Sequence, residues 1–310
     1  MNRRQFGRSV AAAAAGSMLD GSALLDGARA LPSSEDRDGA GPTVSVMLWT
    51  ILPKEPFERR IGVVAEAGYR SVELDDEFEQ WSREDYERFR ATRDKLGISV
   101  DAICLDRPGV ANPATAAEFL QGLENRMQTA AALSCHDIIV LSGPQLPDVG
   151  IAGQRSAAID VLKRGGDLAA KRGCRLLLES LDPEEAPHCF LNSVSAGFEI
   201  VRAVGNPHVR MVYDFYHEQI AGGNLIKKLT DNIDLVGLVH VADVPGRHDI
   251  GTGEINYEEI FRRLAQLGYP GAIAMEFLPA DSPARSLRRA REIVERCYQR
   301  QGKAEAPRSS

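Results

Sequence analysis

The sequence predicts an α/β fold: a single-domain (β/α)8 barrel, or TIM barrel, preceded by a cleavable leader. Eight short runs rich in β-branched and other apolar residues follow one another along the chain. Stretches whose apolar residues recur at helical spacing separate these runs. Regular alternation of this kind is typical of parallel strands joined by helical crossovers, and a count of eight favours a closed barrel over an open doubly wound sheet.

The predicted strands begin shortly after residue 43. They cover residues 44–49, 71–74, 98–104, 138–141, 175–179, 209–215, 235–241 and 272–277. No Gly-x-Gly-x-x-Gly motif follows the first of them, which argues against a dinucleotide-binding fold.

Helices are predicted between the strands. The spacing is clearest in two stretches, one with Phe119, Leu123, Met127 and Ala130, the other with Tyr257, Ile260, Phe261, Leu264 and Leu267. A glycine stands shortly before the next strand at four places, namely Gly68, Gly97, Gly173 and Gly268. Because glycine tolerates the left-handed conformation that closes a helix, these residues are predicted to end helices.

Residues 1–30 have a different composition, that of an export signal. The pair Arg3-Arg4 precedes a short apolar run, and Ala28-Arg29-Ala30 has the small-x-small form of a cleavage site. We therefore expect a twin-arginine signal peptide and a mature protein exported to the periplasm. A leader without a transport role is the alternative.

The rest of the chain is predicted to form one domain. Residues 31–42 are rich in Ser, Asp, Gly and Pro, as linkers are, and the barrel is expected over residues 43–300. A disordered tail is expected over residues 301–310. Nothing after the leader approaches the roughly 20 consecutive apolar residues that a membrane span needs.

Composition restricts the possible partners. The chain has 310 residues, 44% hydrophobic and 26% charged, and a net charge of −7, which argues against a nucleic-acid partner. A small molecule, such as a sugar or a hydroxy-keto acid, fits better, and association into a homo-oligomer stays open. The five cysteines are an odd number without a Cys-x-x-Cys pair, so we expect structural roles for them.

The last four predicted strands each carry a polar, potentially metal-binding residue near the carboxyl end. These residues are Glu179, Asp214, His240 and Glu276. A single charge at a strand end is common, but barrels of this kind place their active site at the carboxyl ends of the strands. Three carboxylates in one mouth would repel one another unless a cation lay among them. The pattern therefore predicts a divalent metal ion, Mg²⁺ or Mn²⁺ by ligand type, with Zn²⁺ or Co²⁺ as alternatives.

Two further polar residues end the first and second predicted strands. Trp49 and Glu73 stand there, and either could line the same pocket or pack at its rim.

The second half of the chain resembles the xylose isomerase-like TIM barrel superfamily, and within it the hydroxypyruvate isomerases most of all. The likeness rests on Leu-Leu-Leu-Glu179, Tyr213-Asp214-Phe-Tyr-His217, Val239-His240-Val-Ala-Asp243, Gly251-Thr-Gly-Glu-Ile-Asn-Tyr257 and Met275-Glu276-Phe-Leu-Pro279. Upstream, between Val44 and Gly143, it rests on layout more than on motifs.

The resemblance implies a metal-assisted isomerase that moves a proton through an enediolate. It implies that Glu179 and Glu276 accept and donate the proton, and that Asp214 and His240 complete the metal set found in related ketose epimerases. His217 and Arg247 would match residues that hold substrate oxygens.

The chain departs from the hydroxypyruvate isomerase pattern at two places. Those enzymes tend to carry Asn and His where this chain has Asp182 and Pro183, and they often hold glutamine where His240 stands. The substrate therefore stays open, with a ketose 3-epimerase as one alternative and an exported, non-catalytic sugar-binding barrel as another. A zinc-dependent endonuclease is disfavoured, because it would need more histidine ligands and a basic face, and this chain has six histidines in all.

Overall fold

The computed structural model describes residues 42–305. The predicted signal peptide, the predicted linker up to residue 41 and the predicted tail from residue 306 lie outside the described residues. Among the described residues, no helix is both long and apolar enough to cross a bilayer.

Eight parallel strands alternate with helices, as predicted. The strands are β1 (Thr43–Val46), β2 (Ser71–Leu74), β3 (Ser99–Leu105), β4 (Asp137–Leu141), β5 (Arg175–Glu179), β6 (Val209–Asp214), β7 (Val236–Val241) and β8 (Ala272–Met275). Their order in the sheet is β1-β8-β7-β6-β5-β4-β3-β2, and a parallel bridge between Met47 and Glu73 joins the end of β1 to β2. The sheet is therefore a nearly closed barrel, which confirms the predicted fold class.

The helices lie between the strands in chain order. They are α1 (Phe57–Glu66), α2 (Arg83–Leu96), α3 (Ala116–Leu133), α4 (Ile151–Arg172), α5 (Val194–Val204), α6 (Phe215–Ala221), α7 (Leu225–Asn232), α8 (Tyr257–Gln266) and α9 (Pro283–Glu305). The four glycines predicted to end helices all have positive φ, for example Gly97 at 65° after α2. The last helix, α9, extends to Glu305, beyond residue 300 where we placed the end of the barrel.

Three of the predicted strands extend past the ends that the structure shows. β1 stops at Val46, and a 3-10 turn over Leu48–Thr50 follows, held by the Thr50 hydroxyl, which donates to the Met47 carbonyl. Phe215 opens α6 instead of ending β6, because the Asp214 carboxylate accepts the first free backbone N–H groups of that helix. Glu276 lies one residue past β8.

Two apolar layers hold the barrel together. The larger lies between the sheet and the surrounding helices. The smaller fills the barrel interior and consists of Met47, Ala102, Cys104, Ile139, Leu177, Val212 and Leu238. All five cysteines are buried, and no disulfide joins any two of them within residues 42–305, in agreement with the structural role predicted for them. A filled interior leaves the carboxyl ends of the strands as the place for a polar site.

Candidate metal centre and active site

The structure brings the four predicted metal ligands together at the carboxyl ends of β5 to β8. Glu179, Asp214, His240 and Glu276 each offer one ligand atom, and these atoms all lie within 4.8 Å of one another. None of the four residues is more than 2% exposed. Parallel strands in a barrel present their ends to one mouth, so four consecutive strands suffice to assemble the cluster.

The imidazole of His240 lies between the carboxylates of the cluster. Its Nδ1 is 2.7 Å from Glu276 Oε2 and 3.2 Å from Glu179 Oε1. Nδ1 is buried and makes no hydrogen bond of acceptable geometry. Its Nε2, on the opposite side of the ring, is 2.9 Å from Glu73 Oε2. Nδ1 thus faces two carboxylates at the place where a cation would bind.

The electrostatics of the cluster also fit a cation. Burial lowers the pKa of His240, but the charges of Glu73 and Glu276 outweigh burial and hold that pKa well above its ordinary value. Burial raises the pKa of Asp214, although His217 and Arg247 oppose the rise. The site therefore holds more negative charge than the protein compensates for, and a donor set of three carboxylates and one imidazole suits a divalent metal ion.

The two residues expected to hold substrate lie beside this cluster. Arg247 Nη2 is 3.0 Å from Glu276 Oε2 and 3.5 Å from Asp214 Oδ2, and its Nη1 is 3.1 Å from His217 Nε2. Burial lowers the pKa of His217, but the charge of Asp214 and the hydrogen bond to Asp182 outweigh it, and the pKa is raised. Both side chains are at least 94% buried, so they form one wall of the cluster.

The backbone of Arg247 has an unusual conformation that helps to aim its side chain. Its φ is 58°, in the left-handed region that non-glycine residues seldom adopt. Two hydrogen bonds hold the residue there, because its Nε donates to the Glu276 carbonyl and its own carbonyl accepts the Leu278 N–H. Strain of this kind is concentrated at functional sites.

The structure adds two carboxylates that the sequence did not single out for this wall. Asp182 Oδ2 is 2.5 Å from His217 Nδ1, and Asp182 Oδ1 accepts the N–H groups of Glu184 and Glu185. Glu185 Oε2 is 3.2 Å from Arg247 Nη1, and its other oxygen accepts the hydroxyl of Tyr216. The sequence signal for Asp182 was its departure from the hydroxypyruvate isomerase pattern at that position. Glu185 had none, because it lies in a loop whose path no periodicity reveals.

Of the two interpretations of Trp49 and Glu73, the structure supports the pocket rather than the rim. Trp49 Nε1 donates to Glu276 Oε1 at 3.0 Å, and its ring lies 5.6 Å from the Arg247 guanidinium. Glu73 is fully buried against His240. The two carboxylate oxygens of Glu276 thus contact different groups: the indole donates to Oε1, and the Arg247 guanidinium forms an ion pair with Oε2.

Another group of possible ligands lies on the same face of the barrel. Asp75, Cys104 and Asp106 bring one ligand atom each within 4.8 Å of one another, near the ends of β2 and β3. This group has no imidazole and a different set of strands, so it is a separate possible cation position.

Fold and site together define a TIM barrel with a buried, acidic, histidine-containing centre at the carboxyl ends of its strands. The chain belongs to the xylose isomerase-like TIM barrel family, whose model matches residues 61–297. This confirms the resemblance seen in the sequence.

Two named relatives match most of the chain. The 2-oxo-tetronate isomerase of Pectobacterium atrosepticum is 28% identical over 242 residues, which cover 77% of this chain and 92% of that protein. A Danio rerio protein provisionally named hydroxypyruvate isomerase is 31% identical over 255 residues, which cover 76% of this chain and 88% of that protein.

Solved structures confirm the architecture. An AP endonuclease of family 2 from Brucella melitensis superposes with a TM-score of 0.73 at 24% identity, over 79% of this chain and 96% of that one. The D-psicose 3-epimerase of Clostridium cellulolyticum H10 has a TM-score of 0.72 at 16% identity, over 83% and 99%. At these identities the likeness establishes the fold alone.

Proposed function

We propose that the protein is a metal-assisted isomerase of a small hydroxycarbonyl compound, similar in reaction to hydroxypyruvate isomerase. The observation that carries this proposal is the convergence of Glu179, Asp214, His240 and Glu276 on one buried point. The isomerase names of the relatives support the reaction class. The substrate is a sugar or a hydroxy-keto acid.

Glu179, Asp214, His240 and Glu276 would hold the metal ion. Oxygen-rich ligation with one imidazole favours Mg²⁺ or Mn²⁺, and Zn²⁺ or Co²⁺ accept the same donors. A divalent cation bound there would polarise the substrate carbonyl and balance the negative charge that develops on its oxygen.

Glu179 and Glu276 are the residues that would move the proton. They approach from β5 and β8, with β6 and β7 between them in the sheet, so they reach the centre from different directions. One carboxylate removes a proton from carbon and the other returns one. Trp49 donates to the Glu276 carboxylate and Arg247 forms an ion pair with it, which fixes the orientation of that carboxylate.

His217 and Arg247 would bind the oxygens of the substrate. Arg247 is rigidly placed by its contacts with Glu276 and with the rings of Trp49 and Tyr216. Asp182 fixes the ring of His217 from the far side. Fixed donors of this kind orient a substrate without reorganising during the reaction.

A ketose 3-epimerase is the second candidate, and the surroundings of Arg247 favour it. The guanidinium already contacts Glu185, Asp214 and Glu276. Its charge is therefore matched within the protein, which suits a neutral ketose better than the carboxylate of a keto acid. The same two glutamates would then exchange a proton on opposite faces of one carbon.

A substrate panel tests the proposal. We expect the metal-loaded protein to incorporate deuterium from heavy water into hydroxypyruvate, 2-oxo-tetronate or a free ketose, as followed by proton NMR. Turnover of the keto acids supports the isomerase, and turnover of ketoses alone supports the epimerase. Metal and sugar binding without exchange into any of them would contradict both and favour a non-catalytic sugar-binding barrel.

We also propose that the enzyme acts in the periplasm after export. The support is the Arg3-Arg4 pair with the apolar run and the Ala28-Arg29-Ala30 site. Residues 1–30 fused to a folded reporter should be exported, and replacement of both arginines by lysine should retain the reporter in the cytoplasm.

A further inference from the structure

We propose that Glu73 is a positioning residue that fixes the ring of His240 so that Nδ1 faces the metal ion. This inference rests on the proposed function, because it assigns His240 as a metal ligand. It concerns a residue outside the set of four ligands, on the opposite side of the imidazole.

Glu73 reaches His240 across the interior of the barrel. It belongs to β2, whereas His240 belongs to β7. Alternate residues of a strand face opposite sides of the sheet, and Val72 and Leu74 pack in the larger apolar layer outside the sheet, so Glu73 faces the barrel interior. Glu73 is 0% exposed, and its Oε2 lies 2.9 Å from His240 Nε2.

This contact determines which ring nitrogen carries the proton. Both ring nitrogens lie near carboxylates, but only Nε2 has hydrogen-bond geometry, toward Glu73. Because a carboxylate can only accept, Nε2 is the N–H donor of that bond. A neutral imidazole then has its lone pair on Nδ1, the nitrogen that lies between Glu179 and Glu276. Metal-binding histidines commonly donate their second N–H to a carboxylate, which fixes the tautomer and the ring orientation.

A purely structural role explains this arrangement less well. Asp137 in β4, by comparison, engages Arg175 through both oxygens, at 2.7 and 2.5 Å. Glu73 uses one oxygen, while its buried Oε1 has no hydrogen-bond partner within the described residues. A buried carboxylate with a single partner is costly to keep, and aiming a ligand accounts for it.

Metal affinity and ring NMR test the inference together. We expect Glu73→Leu to weaken the binding of Mn²⁺ in calorimetry by roughly 10–100-fold, the usual effect of losing such a carboxylate. Glu73→Gln keeps an acceptor of the same length and should recover most of the affinity. Asp101→Asn, which removes a barrel carboxylate bonded to Ser45 and Ser71 instead of His240, is the matched control and should bind as the wild type does.

Nitrogen-15 spectra of the histidine rings report the tautomer directly. In the metal-free wild type, at a pH high enough for the ring to be neutral, we expect the proton of His240 on Nε2, with assignment by a His240→Gln variant. In metal-free Glu73→Leu at the same pH we expect a mixture of the two tautomers. With saturating Mg²⁺ we expect turnover of Glu73→Leu close to that of the wild type, because Glu73 does not touch the substrate. The wild-type spectrum by itself shows which nitrogen of His240 carries the proton, so the inference can be tested even if Glu73→Leu does not fold.

The possible failures are distinguishable. If the wild type binds no divalent cation, the proposed function fails. If the wild type binds Mn²⁺ and Glu73→Leu binds it equally well, or if the neutral ring of the metal-free wild type carries its proton on Nδ1, only the role of Glu73 is overturned. Turnover that stays lost at saturating metal would also overturn a positioning role.

Discussion

The carboxylate of Asp182 lies 2.5 Å from Nδ1 of His217. This pair accounts for a departure that the sequence left open, because Asp182 stands where hydroxypyruvate isomerases tend to carry another polar residue. The aspartate holds the ring so that Nε2 points toward Arg247 and Asp214. His217 therefore presents a fixed group to the pocket.

We predict that Asp182→Asn lowers kcat/KM by roughly tenfold or more, since a hydrogen bond to a charged partner contributes about 1.5–3 kcal/mol. Glu184→Gln is the matched control, because Glu184 is a neighbouring exposed carboxylate. Steady-state kinetics with the best substrate of the panel measure both. Equal losses in the two variants would show that the Asp182–His217 contact has no role in turnover.

Glu179→Gln should abolish proton exchange. If Glu179 moves the proton, we expect the rate of deuterium incorporation to fall by roughly 10²–10⁴-fold, the usual contribution of general acid–base catalysis. Metal content, measured on the same sample, separates lost chemistry from lost metal. A Glu179→Gln enzyme that retains its metal and exchanges at the wild-type rate would remove Glu179 from the mechanism.

Glu185→Gln should change substrate preference. The substitution removes the negative charge 3.2 Å from Arg247 Nη1, which leaves the guanidinium more available to a substrate carboxylate. We expect the ratio of kcat/KM for hydroxypyruvate to that for a ketose to rise by roughly tenfold. An unchanged ratio, with Glu184→Gln as reference, would mean that Glu185 does not select between charged and neutral substrates.

Metal should stabilise the fold more at higher pH. In the metal-free chain the pKa of His240 is raised, so its charge contributes stability that is complete below its unfolded pKa, about 6.5, and is lost as pH rises through the folded pKa. Protons compete with metal for this ring. Thermal unfolding with Mn²⁺ should therefore show a larger rise in Tm at pH 8 than at pH 6, and an excess of about 100 times Kd should contribute about 2.7 kcal/mol. A rise that is independent of pH, or one that His240→Gln retains in full, would contradict the assignment.

The sequence predicted those parts of the site that depend on strand ends. Glu179, Asp214, His240 and Glu276 could be found because apolar strands precede them and parallel strands end at one mouth. Glu73 could be predicted only as a possible pocket residue, because its contact with His240 joins strands on opposite sides of the barrel and no local pattern reveals it.

Two residues outside the strands were harder to predict, for a different reason: Glu185 was not predicted, and Trp49 was predicted only as a possible pocket residue. Glu185 and Trp49 are brought to Arg247 and Glu276 by local turns, not by a repeating pattern. The 3-10 turn over Leu48–Thr50 replaced the end of a predicted strand, and it is this turn that carries the indole to the metal cluster. Short turns held by a few local hydrogen bonds, such as those of Thr50, depend on tertiary context that periodicity does not report.

The central claim is that one divalent cation binds among Glu179, Asp214, His240 and Glu276. A crystal structure of the Mn²⁺-soaked protein, with anomalous scattering recorded, tests it most directly. We predict one dominant peak within roughly 2.0–2.6 Å of an oxygen of each carboxylate and of His240 Nδ1. No peak there, or a dominant peak at Asp75, Cys104 and Asp106 instead, would contradict the account.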